Sequence, residues 1–256
     1  MKTKIFLCSL ISLFALACDH IDENERLIYV EPETVQRTVL LEDFTGQQCV
    51  NCPKGTEVIE QLQQAYGDGI IAVGIHGGPL GFKGNAKTLG LATDLGDEYY
   101  HHWNLEYQPV GLVDRHGAVN YTDWMTKVRE EIAKTSSVSM ALDATLSGDQ
   151  LTIRVKATSL DGTFDGKLQV WVLEDSITAT QKMPDNTSNK EYVHNHVLRT
   201  AVNGTWGEAV ALAASEPKTL TYQQPVDATW NAAHLSIVAF VYNDNGVEQA
   251  IRKEVK

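Results

Sequence analysis

Cysteine is scarce in this chain. Four occur in 256 residues, and all lie before residue 53. No framework of several disulfides can stand in for a hydrophobic core, and the 43% hydrophobic content supports packed cores instead. Positive charge is also short, with 21 Lys and Arg against 33 Asp and Glu. That balance disfavours nucleic acid and anionic headgroups as partners. The apolar run from Ile5 to Ala17 is too short to be a comfortable membrane span. Sequence repeats and low-complexity tracts are missing, and the 21% charged content argues against global disorder.

What is present begins with an export signal. Lys2 and Lys4 precede the apolar run, which ends in Ala15-Leu16-Ala17-Cys18. A small residue before a cysteine resembles a bacterial lipobox, although Ala15 stands where Leu is commonest. Residues 1–17 read as a lipoprotein signal peptide and Cys18 as the acylated N-terminus; the other reading is an ordinary signal peptide that leaves Cys18 free. Losing Lys2 and Lys4 from the 21 basic residues leaves 19 against 33 acidic ones, a formal charge of −14. Acyl chains, rather than basic residues, would then hold the protein to a membrane. Residues 18–36 are acidic and lack hydrophobic periodicity, as a solvated tether does. Acidic residues just behind a lipidated cysteine also resemble the surface-export signal of Bacteroidetes lipoproteins.

From Arg37 to about Lys134 the order reads strand, helix, strand, long helical insert, strand, strand, helix. Val39, Leu40 and Leu41 form a buried strand that ends in a polar turn at Thr45 to Gln48. Cys49-Val50-Asn51-Cys52 follows, with Pro53 behind it and helical spacing at Val58, Ile59, Leu62 and Tyr66. The pair therefore sits where a strand feeds a helix N-terminus, whose partial positive charge and free N–H groups favour a thiolate. Gly69 to His76 reads as a strand and residues 86–103 as a helix. Residues 107–114 read as a strand entered through Pro109, and Asp123 as the cap of a final helix.

At Ser136 the period changes to two. Val138, Met140, Leu142, Ala144 and Leu146 alternate with polar or small residues, and Leu151, Ile153, Val155 and Ala157 do so again after a Ser-Gly-Asp-Gln turn. That is a β-hairpin. Further strands are expected at 168–173, 192–200, 219–222, 235–242 and 247–254. Repeated short strands imply an antiparallel sandwich of the immunoglobulin or fibronectin kind. It has no cysteine, so no inter-sheet disulfide can form. The expected organisation is a thioredoxin-like α/β domain at 37–135 and an all-β sandwich domain at 136–256.

The thioredoxin resemblance rests on three features besides CxxC. Asp43 lies six residues before Cys49, where thioredoxins place a buried carboxylate that accepts the proton of the second cysteine. Pro109 stands where the family has the cis-proline facing its disulfide. The turn at residues 112–117 matches the family's paired final strands. The resemblance implies Cys49 as attacking thiol, Cys52 as resolving thiol, Asp43 as proton carrier and Pro109 as the shaper of a peptide groove. The pair itself leaves two readings open: a redox-active site with an exposed, reactive Cys49, or a permanent Cys49–Cys52 disulfide clamping the helix end. A zinc site using the pair with His101 and His102 is disfavoured, because no second ligand pair occurs at regular spacing. His194 and His196 would share one face of a strand at 192–200, a geometry able to bind metal, although surface cross-strand hydrogen bonding is the commoner use. The letters HNH do not indicate a nuclease, since that motif spreads over a ββα unit.

The lipobox, EDFTGQQCVNCP and YVHNHVLRTAVNGTWGE together resemble the outer membrane protein 28-related lipoproteins of the Bacteroidetes. The resemblance implies a lipid-anchored outer-membrane protein, facing the surface or the periplasm, with a thioredoxin-like and a β-sandwich domain. No cofactor is expected. The leading expectation is a binding or scaffold protein, with exported proteins or surface ligands as partners; the alternative is a thiol–disulfide oxidoreductase.

Overall fold

The computed structural model describes Glu31 and residues 33–256. The expected signal peptide, Cys18 and most of the tether lie outside the described residues. Residues 33–256 form one compact unit, a mixed α/β structure in which sheet predominates.

The first half runs β1 (Val35–Gln36), β2 (Val39–Thr45), α1 (Cys52–Tyr66), β3 (Ile70–His76), α2 (Asp94–His102), β4 (Val110–Val113), β5 (Ala118–Asn120) and α3 (Trp124–Ile132). The second half is β throughout: β6 (Thr135–Ser136), β7 (Val138–Ser147), β8 (Gln150–Ser159), β9 (Phe164–Glu174), β10 (Ile177–Lys182), β11 (Ser188–His194), β12 (Val197–Ala201), β13 (Glu208–Leu212), β14 (Lys218–Pro225), β15 (Leu235–Asn243) and β16 (Gly246–Glu254).

Strands from both halves share one nine-stranded sheet in the order β16-β15-β9-β12-β3-β2-β4-β5, with β13 also on β9. The expected boundary at 135/136 falls within β6, and the main sheet joins strands from either side of it through a parallel bridge, Val197 to Gly74. β1 pairs with β6, so residues 35–36 belong to the folded body and the expected tether ends before them. A second sheet, β14-β8-β7, lies opposite β9, β13 and β15.

Three cores follow from the period-two alternation of the strands. Val39 and Leu41 of β2, with Ile70 and Ala72 of β3, face α1 and α3, where Ile59, Leu62, Trp124 and Val128 cover them. The intervening residues Leu40, Phe44, Ile71, Val73 and Ile75 face the other way, toward Tyr99, Tyr100, Trp171, Val238 and Phe240. β15 and β9 bury both faces as well: Ile237, Ala239, Val170 and Val172 meet Leu142, Ile153 and Val155 of the second sheet. Burial on two faces explains why β2, β3 and β15 read as nearly continuous apolar runs while β7 and β8 alternate.

Inside the core shared by the two halves lies an ion pair. Arg115 donates from Nε and Nη2 to the Glu42 carboxylate, at 3.1 Å and 3.0 Å for the closest contacts. Its guanidinium also stands 4.3 Å from the Tyr242 ring centre and 4.7 Å from that of Phe240. Burial opposes the charge on Arg115, but Glu42 outweighs it and the pKa of Arg115 goes up. Beside it, Asp114 accepts from Leu40 N–H at 2.8 Å and from Arg37 Nε at 3.1 Å. Burial nonetheless pushes Asp114 up to about 6.

Several expected elements are revised. The helix at 86–103 is confined to Asp94–His102. Before it the chain folds tightly on itself, with Gly84 at φ +90° and a Cβ on Gly90 falling 1.9 Å from the Gly84 nitrogen, a packing no helix permits. Asp123 makes no capping bond to α3. The single strand at 192–200 is two, broken at Asn195-His196, where His196 has φ +58° and its N–H bonds Asp175 Oδ1 at 2.7 Å. β10 and β13 were not expected at all.

Candidate functional site

β2 delivers its last residues into the loop Gly46–Asn51, and α1 starts at Cys52 with Pro53 in its first turn, where no N–H donor is needed. Cys49 and Cys52 are joined as a disulfide, with Cα atoms 5.4 Å apart. The Gln108–Pro109 peptide is cis. A Cβ on Gly55, in the first turn of α1, would lie 3.4 Å from Pro109 Cβ, so the proline is seated against the start of the helix.

The expectation of an exposed Cys49 is overturned. Cys49 is 1% exposed and Cys52 2%, because two segments close over the loop. The first is the stretch after β3. Gln48 N–H donates to Leu80 O at 3.0 Å, and a Cβ on Gly46 would fall 2.2 Å from that same oxygen, so only glycine permits the approach. The second is the β10–β11 hairpin. Lys182 N–H donates to Gln47 O at 2.9 Å, and Gln181 Nε2 donates to Cys49 O at 2.9 Å and Gly46 O at 3.3 Å. Gln47 ties the two covers together. Its Nε2 donates to Thr180 O and Leu89 O at 2.9 and 3.1 Å, and its Oε1 accepts from Leu91 N–H at 2.8 Å. Gln108 completes the cluster, donating from Nε2 to Thr45 O at 2.7 Å and Gly77 O at 3.0 Å. Leu91, Ile177, Ala179 and Val197 form a small apolar cluster where the covers meet.

Behind the disulfide, Asp43, Cys52, His76, Gln181, Tyr192 and His194 line a cavity of about 70 Å³. Asp43 is 3% exposed and its Oδ1 has no hydrogen-bond partner. Burial alone drives its pKa to about 8. The rings of His76 and His194 meet edge-on with centres 5.3 Å apart. Burial, then the neighbouring His194 and Arg199, holds His76 well below the usual histidine range. Burial lowers His194 to about 4, against a hydrogen bond to the Ala179 backbone. At neutral pH the Asp43 carboxyl and the His76 and His194 imidazoles are therefore neutral. Thiol–disulfide exchange requires a thiolate to reach a sulfur atom, and neither sulfur is accessible while both covers are closed.

His194 and His196 do not work as a pair. Both border the same cavity, but the break in the strand gives His196 partners of its own, with Nδ1 3.0 Å from Asp175 Oδ1 and Nε2 3.0 Å from Gln63 Nε2. Arg252 joins Asp175 from the other side at 2.6 Å. Burial works to raise Asp175, but His196 and Arg252 outweigh it and hold the carboxyl at about 2. His101 and His102 lie on α2, against Tyr100 and Trp206, and do not line the disulfide cavity. Among the described residues no group of three or more His, Cys, Asp or Glu is arranged to hold a metal ion.

The structure places the expected Asp43, Cys49, Cys52 and Pro109 around the start of α1 and adds Gln47, Gln108, Gln181 and His76, which the sequence did not single out. Glutamine is usually exposed, so nothing in a pattern of apolar residues marks three buried ones. The one available signal was Gln181 standing in phase with Ile177 and Ala179 on the inward face of β10.

Comparison with known proteins supplies the family. The model of the outer membrane protein Omp28 family matches residues 96–256, well over half of the chain. Among solved structures, HBP35 of Porphyromonas gingivalis is similar with a TM-score of 0.67 and 17% identity, over 86% of this chain and 76% of that one. A domain of the outer membrane lipoprotein Omp28 from the same organism is 26% identical, with a TM-score of 0.36, over 47% of this chain and 89% of its own. Protein AGR_C_4864 from Agrobacterium tumefaciens matches with a TM-score of 0.51 and 16% identity, over 86% of this chain and 95% of that one. Nothing among the curated proteins matches. The likeness to HBP35 is one of fold, and the family match rests on the residues from α2 onward; by that match this chain belongs to the Omp28 family of outer membrane proteins.

Proposed function

We propose that this protein is an outer-membrane lipoprotein, anchored through acyl groups on Cys18, whose thioredoxin-like half is a scaffold closed by a structural disulfide. In this reading the two facing sheets are an immunoglobulin- or fibronectin-type sandwich that presents a binding surface to exported proteins or surface ligands. The observation that carries it is the burial of both sulfur atoms under two separate segments. A catalyst of exchange needs one sulfur open to a partner thiolate.

The reduction potential of the Cys49–Cys52 pair, measured in protein lacking residues 1–18, tests the scaffold reading. A structural disulfide is expected below about −300 mV, whereas roughly −270 to −120 mV is the range of exchange catalysts and would overturn it. The anchor is tested separately. Cys18→Ser in the full chain is expected to move the protein from the membrane fraction to the soluble fraction, and retention at the membrane would remove acylation from the account.

The second reading, a thiol–disulfide oxidoreductase, is favoured by one observation. Asp43, neutral up to about pH 8, lines the same cavity as Cys52, where a proton carrier for a resolving thiol belongs. Cys49 would attack, Cys52 resolve, Asp43 move the proton and Pro109 shape the groove. The same potential separates the two readings.

A further inference from the structure

The β10–β11 hairpin forms a two-stranded sheet of its own, apart from the two larger sheets. Of the seven residues of β11, five are exposed, and among the described residues β11 pairs only with β10. The apolar contact that seats the hairpin is the small cluster of Leu91, Ile177, Ala179 and Val197, far smaller than the three cores. At the far end His194 of β11 packs edge-on against His76, and the remaining hold is polar and converges on one loop: the Lys182 N–H on Gln47 O, the Gln47 side chain on Thr180 O, and Gln181 Nε2 bridging the Cys49 and Gly46 carbonyls. Two of those acceptors, Cys49 O and Gly46 O, belong to a turn that ends at the first cysteine of the disulfide, and Cys49 N–H itself bonds Gly46 O at 3.0 Å.

We propose that the Cys49–Cys52 disulfide is a redox latch for the β10–β11 hairpin. Closed, it keeps the two carbonyls at the spacing that one amide group can bridge. Opened, it replaces one covalent bond by two thiols whose sulfurs move apart to ordinary contact distance, and Cys49, whose carbonyl Gln181 holds, is no longer tied to the first turn of α1. The turn widens, Gln181 loses its two-carbonyl hold, and the hairpin opens as a local unit while the cores stay folded. The chemistry balances with a dithiol reductant. Its two thiols become a disulfide, the S–S bond of Cys49–Cys52 breaks, and two electrons and two protons end on the two cysteine sulfurs. The inference rests on the buried disulfide described above but not on its potential: a dithiol reaches the sulfurs when the covers open locally, and a variant without the cysteines has no disulfide at any potential.

Hydrogen–deuterium exchange, read by mass spectrometry on the soluble protein lacking residues 1–18, tests it. After reduction by dithiothreitol, amides of residues 177–194 are expected to exchange at least tenfold faster, with those of the β7–β8 hairpin unchanged. The double variant Cys49→Ser/Cys52→Ser reads the open state without reductant and is expected to behave alike. In the oxidised protein, Gln181→Ala is expected to raise exchange in the same segment alone. Unchanged protection of residues 177–194 in the open state would overturn the latch. So would loss of protection throughout the chain, which would make the disulfide a general stabiliser.

Discussion

Asp43→Asn is expected to be more stable than the native protein at pH 7, by about 4 kcal/mol, with the difference disappearing near pH 4. The carboxyl holds its proton in the folded state up to about pH 8 and loses it near 3.8 when exposed. Between those values unfolding releases a proton, so stability falls as the pH rises, by about 1.4 kcal/mol per unit. An amide of the same shape has no proton to lose and no such slope. His76 and His194 act in the opposite sense, because their folded pKa values are lowered and their contribution is lost as the pH falls below about 6.5. The native curve alone therefore mixes both effects. The difference between the two proteins isolates Asp43, and urea unfolding at pH 4, 5.5 and 7 measures it. Parallel curves across that range would show that Asp43 ionises as an ordinary surface carboxylate does.

The second large effect concerns Arg115. Arg115→Met is expected to cost about 3–5 kcal/mol, because it leaves the Glu42 carboxylate buried without a partner. Glu42 is 1% exposed and sits among Phe44, Trp171 and Phe240 on the inner face of the sheet. The double variant Glu42→Leu/Arg115→Met is expected to recover most of the loss, since a buried ion pair replaced by apolar side chains is often neutral or better. The ion pair is then worth little beyond its replacement, while half of it is strongly harmful. Chemical denaturation of the two single variants and the double variant closes the cycle. Full additivity of the two losses would mean that Glu42 and Arg115 do not compensate each other.

The strand-to-helix setting of the CxxC pair was legible because it depends on local signals: an apolar run, a polar turn, Pro53 in the first helical turn and helical spacing beyond. The β7–β8 hairpin was legible for the same reason, with one face buried and one solvated. The illegible parts depend on distant residues. β10 carries a glutamine where an apolar residue would announce a strand, because Gln181 points into the disulfide loop rather than a core. The break at Asn195-His196 needs Asp175 to accept the His196 N–H, and no window around residue 195 contains that carboxylate. Leu91 and Leu95 stand four apart as in a helix, yet Leu91 packs against Ile177 and Val197 while Leu95 belongs to α2. Periodicity reports how many faces are buried and says nothing of what covers them.

The bridge between β12 and β3 bears on how such a chain can change over generations. The residues matched by the family model begin inside α2 and leave out β2, α1 and β3, so a reader of sequence alone would see a movable module joined to a variable front piece. In space that cut passes through the core that Leu40, Phe44, Ile71, Val73 and Ile75 share with Trp171 and Phe240. It also parts Glu42 from Arg115. Joining the piece from residue 96 onward to another front piece would strand a charged side chain in an apolar interior and bare one side of that core. The two pieces are bound to be inherited together, and substitutions along their seam must come in matched sets.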